Sequence, residues 1–102
     1  MIEQAIGELT SRGRAFEAYY FRTSDQYELD LVLDHVRERW AVEVKLTASP
    51  GPADMARLDK AADLIGASRR ILVSQAARTT GDDKRASCNL SGFIERIRQW
   101  PG

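Results

Sequence analysis

Two acids and a lysine are the residues of this sequence best suited to chemistry. Asp30 lies in residues 27–34, where apolar and polar side chains alternate, and Glu43 and Lys45 lie in residues 40–46, which alternate in the same way. Strand side chains point to opposite faces with a period of two, so Glu43 and Lys45 share one face. An acid and a lysine on a face that a helix should cover require pairing or a bound metal ion.

The register of the hairpin decides whether the two acids meet. A turn centred between residues 36 and 37 places Asp30 opposite Glu43, and a slip of one residue would separate them. A divalent cation relieves the repulsion between close carboxylates, and Mg²⁺ accepts such oxygens together with water and, here, the Val44 carbonyl. The bound ion would activate water for in-line hydrolysis of a phosphodiester, while Lys45 orients that water or neutralises the scissile phosphate.

The same spacing also fits an ordinary cross-strand ion pair that stabilises a sheet and has no catalytic role. Two roles are also open for the aromatic residues Tyr19, Tyr20 and Phe21. Aromatic side chains stack on nucleic-acid bases, but more often they pack in a protein core. Scattered arginines of the second half are able to contact phosphates, although such residues are usually solvated. We expect His35 in a solvated turn and Cys88 in a polar loop, neither with a catalytic role.

Composition restricts the class of protein. The chain has 102 residues, of which 43% are hydrophobic, so we expect one domain over residues 1–102 with its own core. Fifteen basic and fifteen acidic residues exclude a polycationic tail and an acidic solvating protein. Acids dominate residues 1–66 and bases dominate residues 67–102, which fits either a metal site beside a phosphate-binding rim or ordinary surface variation.

A single cysteine excludes an internal disulfide and a thiolate metal cluster. No apolar run reaches the roughly 20 residues that span a bilayer, and no basic region precedes an apolar stretch at the N-terminus. We therefore expect a cytoplasmic protein with no membrane partner.

Hydrophobic periodicity predicts the order of elements. Leu29, Leu31 and Leu33 are expected on one face of their strand, with Asp30 and Val32 on the other. Residues 75–88 are polar and aperiodic, which predicts a loop, and Trp40 is expected to anchor the core. The predicted elements are, in order, a helix over residues 2–12, strands over 16–22, 27–34 and 40–46, a helix ending at Gly66, a parallel strand over 71–73, and a helix over 91–100. In the last helix, we expect Phe93 or Ile94, Ile97 and Trp100 to face inward.

The order of short motifs resembles the PD-(D/E)XK nuclease superfamily. Arg22-Thr23 precedes Glu28-x-Asp30, and Glu43-x-Lys45 follows. More narrowly, this order is similar to the domain of unknown function at the C-terminus of many prokaryotic AAA+ ATPases, over residues 1 to about 74. The resemblance implies an α/β fold with a restriction-endonuclease-like core: helix, three strands, helix, strand and a C-terminal helix, in which helices flank a mixed four-stranded sheet.

The resemblance also implies a further acid on the first helix, for which Glu3 is the best match, as a metal ligand reached directly or through water. An acid in the first turn of a helix is equally explained by the helix dipole. The chain departs from the pattern in having Leu29 where a proline is common before Asp30. The ATPase part is absent, and the chain starts inside the expected first helix, which we interpret as a fragment or a shortened gene product.

The residues and the resemblance together predict a Mg²⁺- or Mn²⁺-dependent endonuclease domain that hydrolyses DNA or, as the less favoured substrate, RNA. Asp30, Glu43 and Lys45 would be catalytic, and Asp30, Glu43, the Val44 carbonyl and Glu3 would hold the metal. The alternative is a non-catalytic accessory or interaction module of the same fold that accompanies an AAA+ ATPase or pairs with a second copy of itself. A junction-resolving homodimer is a third hypothesis.

Overall fold

The computed structural model describes residues 7, 17–22, 28–34, 38–45, 47–82 and 84–98. Gly7 is helical, and the remainder of the predicted first helix, including Glu3, lies outside the described residues, as do His35 and Trp100. The described elements are β1 (Glu17–Arg22), β2 (Glu28–Asp34), β3 (Arg39–Val44), α1 (Pro52–Ile65), β4 (Arg69–Val73), β5 (Thr80–Gly81), β6 (Arg85–Cys88) and α2 (Leu90–Arg98).

The strands form one mixed sheet in the order β1-β2-β3-β4-β6-β5. Strands β1, β2 and β3 are antiparallel neighbours, β4 is parallel to both β3 and β6, and β5 is antiparallel to β6. The predicted parallel pairing across α1 is confirmed, because β3 and β4 are joined through this helix and run in the same direction. The α/β class is therefore confirmed.

The sheet has six described strands rather than the four that were predicted. The prediction of a loop over residues 75–88 was wrong, since β5 and β6 lie within it. These strands are two and four residues long, too short to show a clear alternation, and only Ala86 and Cys88 are buried in them. Cys88 accordingly lies in a buried strand and not in a polar loop, and burial raises the pKa of its thiol.

Each face of the sheet packs against one described helix. One apolar cluster combines Trp40 and Val42 of β3 with Phe93 and Ile97 of α2. The cluster on the opposite face combines Ala41 of β3 with helix α1, whose buried residues are Leu58, Ala61 and Ala62. The predicted inward positions of Phe93 and Ile97 and the core position of Trp40 are thus confirmed. Neither described helix is long and apolar enough to cross a membrane.

A β-bulge in β2 breaks the alternation predicted for that strand. Tyr19 of β1 pairs with Val32, but Phe21 pairs with Leu29, so one residue of β1 faces two residues of β2, Asp30 and Leu31. An extra residue in one strand shifts the following side chains to the other face. Leu29 consequently packs in the α1 cluster beside Val32, whereas Leu31 stays in the α2 cluster. The predicted placement of Leu29 with Leu31 was wrong for this reason.

Helix α1 ends at a residue in the left-handed conformation, as the predicted stop at Gly66 requires. Gly66 has φ 66° and its amide bonds back to the last turn. At the other end, the Gly51 amide donates to the Asp54 carboxylate at 3.0 Å. This bond caps the N-terminus of α1 at the helix-breaking sequence Ser49-Pro50-Gly51-Pro52.

Replacing Gly81 with alanine is expected to destabilise the protein more than the same change at Gly66. Both glycines have positive φ, 99° and 66°, so alanine strains either backbone by about 1–2 kcal/mol. At Gly81, however, a Cβ atom would lie 2.2 Å from the Arg85 carbonyl oxygen, whereas at Gly66 it would meet nothing within 4 Å. Urea unfolding of both variants measures the difference, and equal losses would contradict the close packing of β5 on β6.

Candidate functional site

The β2–β3 register is the one that brings the two acids together. Leu31 pairs with Val42 and Leu33 pairs with Trp40, which confirms the predicted β2–β3 register. The ladder ends at Leu31 and Val42, and Asp30 and Glu43 are the next residue on each strand. Paired residues on antiparallel strands have Cβ atoms only about 4.5–5.5 Å apart, so the two acids lie next to a close pair.

The Asp30 carboxylate is held by the backbone of β3. Its Oδ2 accepts a hydrogen bond from the Val44 amide at 2.7 Å, just beyond the point where the β2–β3 ladder ends at Leu31 and Val42. The bulge at Asp30 allows this side chain to lie against the neighbouring strand. In a strand the N–H and C=O of one residue point to the same neighbour, so the Val44 carbonyl also lies on the Asp30 side of β3.

Glu43 is the buried acid of the site. Only 8% of the residue is exposed, and it is one of two buried polar residues, with Ser74, in the described part of the chain. Burial raises the pKa of Glu43, the nearby Lys45 charge lowers it, and the Asp30 charge raises it again. The Asp30 charge is therefore close enough to Glu43 to raise its pKa.

Lys45 lies beside Glu43 on the face covered by α1. Its Nζ is 3.8 Å from Glu43 Oε1, and the lysine side chain remains 38% exposed. Arg57 and Asp54 of α1 act on the Glu43 pKa with opposite signs, so the start of α1 adds one charge of each sign to the surroundings. The structure thus brings together Asp30, Glu43 and Lys45, the three residues that the sequence analysis selected.

The donor set suits a small hard cation. Two carboxylates and a backbone carbonyl on one side of β3 are oxygen ligands of the kind that Mg²⁺ takes, with water or a substrate phosphate completing its shell. No group of three or more His, Cys, Asp or Glu side chains suited to a metal occurs among the described residues. Asp30 and Glu43 are the two predicted acidic ligands that the structure describes, and Glu3, the predicted third acid, lies outside the described residues.

One neighbour of the site was not predicted. Tyr20 of β1 donates a hydrogen bond from its hydroxyl to Glu28 Oε2 at 2.8 Å, and both Glu28 and Asp30 raise the pKa of Tyr20. Tyr19 and Tyr20 are 40% and 55% exposed, so core packing was the wrong reading for them, while Phe21 does pack against the α1 cluster. Tyr20 faces the bulge at Asp30, and sequence alternation alone does not reveal a bulge.

Replacing Glu43 with glutamine is expected to stabilise the metal-free protein at neutral pH. The folded state holds the Glu43 proton more tightly than the unfolded chain, because burial raises this pKa. Stability from this group is therefore greatest below the ordinary pKa of glutamate and falls as the pH rises through the raised value. Glutamine removes that loss, so the melting temperature of the variant should exceed that of the wild type at pH 7 by a margin that shrinks towards pH 4.

Melting curves in EDTA across this pH range test the expectation. Glu38→Gln is a matched control, since Glu38 accepts bonds from Trp40 and Arg69 and should lose stability when neutralised. A lower melting temperature for Glu43→Gln at pH 7 would show that the Lys45 ion pair outweighs the burial of the charge.

Comparison with known proteins identifies the family of the chain. Residues 1–91 match the family described as a domain of unknown function, DUF4143. No curated protein and no solved structure matches the chain. The match covers β1 to β6 and the site described above, and the chain belongs to the DUF4143 family.

Proposed function

We propose that this chain is a metal-dependent nuclease domain of the PD-(D/E)XK type that hydrolyses phosphodiester bonds in DNA. The observation that supports it is the close placement of three charged groups on β2 and β3: Asp30 accepts a hydrogen bond from the amide of Val44, the residue after Glu43, and Lys45 Nζ lies 3.8 Å from Glu43. A buried acid with a raised pKa, next to a second acid and a lysine, is typical of functional sites. The motif order of the sequence agrees with this assignment.

The residues have distinct roles in the proposed reaction. Asp30 and Glu43 hold Mg²⁺ or Mn²⁺ together with the Val44 carbonyl, and the bound ion supplies Lewis acidity and lowers the pKa of water. The Val44 amide fixes the Asp30 carboxylate in place. Lys45, which is half-exposed, neutralises charge on the scissile phosphate or orients the attacking water. The phosphorus–oxygen bond to the leaving nucleotide breaks as water adds to phosphorus.

The proposal is tested by cleavage of several DNA forms by the wild type and Lys45→Ala in Mg²⁺, Mn²⁺ and EDTA. Single strands, duplexes, flaps and four-way junctions are compared. We expect cleavage that requires the metal and falls by about 10²–10³-fold in Lys45→Ala, the loss typical of one electrostatic stabiliser. Lys60→Ala is the matched control, because Lys60 is an exposed residue of α1. Cleavage that survives Lys45→Ala or EDTA would overturn the proposal.

A second candidate function is a non-catalytic interaction module that pairs with an AAA+ ATPase or with a second copy of the chain. The observation that favours it is the edge strand β1, of whose six residues five are exposed, Tyr19 and Tyr20 included. An edge strand presents unpaired backbone groups to another chain. Light scattering combined with the cleavage assay distinguishes the two: a dimer without metal-dependent cleavage supports the module, and cleavage by a monomer supports the nuclease.

A further inference from the structure

A pocket of about 380 Å³ opens beside the candidate site on the α1 side of the sheet. Pockets that hold small ligands begin at about 300 Å³. The start of α1 forms one wall, and β4, β5 and β6 form the floor and the opposite wall. The lining includes Pro50, Pro52, Met55, Leu72, Thr80 and Ser87.

The pocket continues the row of side chains that contains Glu43. Leu72 on the pocket floor is the Cα partner of Glu43 on one side and of Ser87 on the other, and Ser87 is the partner of Thr80. Paired residues lie on the same face of a sheet. Neighbouring strands are about 4.8 Å apart, so Ser87 lies roughly 10 Å from Glu43 across the sheet. Leu72, the lining residue next to Glu43 in this row, is one strand spacing away from it.

The lining combines flat apolar walls with a polar rim. Pro50, Pro52, Met55 and Leu72 are apolar, whereas Thr80 and Ser87 bring hydroxyl groups. Hydroxyls both donate and accept hydrogen bonds. A nucleobase matches this lining, because its ring faces are apolar and its edge carries donors and acceptors.

Arg85 gives the rim a positive charge with a fixed orientation. Its Nε and Nη2 donate to the Asp59 carboxylate of α1 at 3.1 and 3.0 Å. Arg70 Nη1 reaches the same carboxylate at 3.3 Å, and these two cations hold the pKa of Asp59 below its usual range. Arg70 Nη1 also lies 3.0 Å from the Asp63 carboxylate, so the two arginines are matched by two acids. Arg85, whose side chain is 54% exposed, is the lining cation that a phosphate at the rim would meet.

We propose that this pocket takes one unpaired nucleobase of the DNA strand that the Asp30–Glu43 site cleaves, next to the scissile phosphate. The inference rests on the proposed function for the position of that phosphate. A base inside a duplex enters such a pocket only after unpairing and unstacking, which costs a few kcal/mol. The preferred substrate is therefore single-stranded DNA or a single-stranded flap rather than a continuous duplex.

The pocket is tested by binding in EDTA, where no cleavage occurs. The probes are a fluorescein-labelled single-stranded oligonucleotide and an oligonucleotide of the same length with abasic sites, followed by fluorescence anisotropy. We expect the base-bearing probe to bind about tenfold more tightly to the wild type. Thr80→Trp, which fills the pocket from an exposed rim position, should abolish the difference, and Ser87→Ala, which removes only a hydroxyl, should reduce it. Leu64→Trp, at an exposed position of α1 away from the pocket, should behave as the wild type.

The outcomes separate this inference from the proposed function. Equal binding of both probes by the wild type, or an unchanged difference in both Thr80→Trp and Ser87→Ala, overturns the pocket. Metal-dependent cleavage of duplex and single strands at equal rates overturns it as well, while the nuclease assignment stands. A third outcome is base-dependent binding, abolished by Thr80→Trp, in a protein that cleaves no DNA. This outcome supports the pocket and overturns the nuclease assignment.

Discussion

Replacing Asp30 with asparagine is expected to lower metal-dependent cleavage by on the order of 10³-fold while the fold is retained. Asparagine keeps an oxygen that is able to accept the hydrogen bond of the Val44 amide, which the Asp30 carboxylate accepts at 2.7 Å. It loses the negative charge, and an NH2 group replaces the second carboxylate oxygen. The change therefore removes a metal ligand and preserves the contact that joins the bulge of β2 to β3.

Melting temperatures provide a second measurement of the same change. A ligand that binds only the folded state at 100 times its Kd adds about 2.7 kcal/mol to the free energy of unfolding. Millimolar Mg²⁺ or Mn²⁺ should thus raise the melting temperature of the wild type and leave that of Asp30→Asn unchanged. Cleavage by Asp30→Asn at the wild-type rate would remove Asp30 from the proposed site.

Asp34→Asn is the control for this variant. Asp34 lies on the same strand, and its carboxylate accepts two hydrogen bonds from the Arg39 guanidinium, at 3.3 and 3.1 Å. Loss of a part-exposed ion pair of this kind costs at most about 1 kcal/mol. Asp34→Asn should keep both cleavage and the metal-dependent rise in melting temperature.

Replacing Trp40 with alanine is expected to cost about 3–5 kcal/mol of unfolding free energy, the largest effect on stability that we predict. Trp40 has no exposed surface and is the largest fully buried side chain among the described residues. Its indole N–H donates to Glu38 Oε2 at 2.6 Å, and the Arg69 guanidinium lies 5.3 Å from its ring centroid. Alanine leaves a cavity under α2 and removes both polar contacts.

Urea unfolding followed by far-UV circular dichroism measures this loss. Trp40→Phe keeps an aromatic ring in the core and removes the bond to Glu38, so it should cost less than Trp40→Ala. Leu64→Ala is the surface control, since Leu64 is 59% exposed and such changes usually stay within about 0.5 kcal/mol. A loss below 1 kcal/mol in Trp40→Ala would show that the α2 face of the sheet is not the tightly packed core described above.

The sequence predicts the centre of the sheet well because its alternation is strict there. Trp40 and Val42 face α2 while Ala41 faces α1, as a period of two requires. The same pattern predicts the β2–β3 register, in which Leu31 pairs with Val42 and Leu33 with Trp40. Gly66 ends α1 in the left-handed conformation that favours glycine at this position.

The parts that were not predicted depend on interactions between strands. A bulge in β2 arises from how β1 pairs with it, and nothing in the alternation of Leu29 and Leu31 signals it. Strands β5 and β6 gain their hydrogen bonds from β4 and from each other, which local propensity does not include. Tyr19 and Tyr20 are aromatic and yet exposed, because the edge of the sheet has a neighbouring strand on one side only.

The bulge at Asp30 and Leu31 also determines how β2 responds to a change in its length. Deleting one of these two residues would restore a regular ladder with β1 and rotate every side chain between the deletion and the start of β2 by half a turn about the strand axis. Leu29 would leave the apolar layer under α1, and Glu28 would move away from Tyr20. A single-residue deletion here is thus a greater disturbance than any one substitution in the strand, although it makes the pairing more regular.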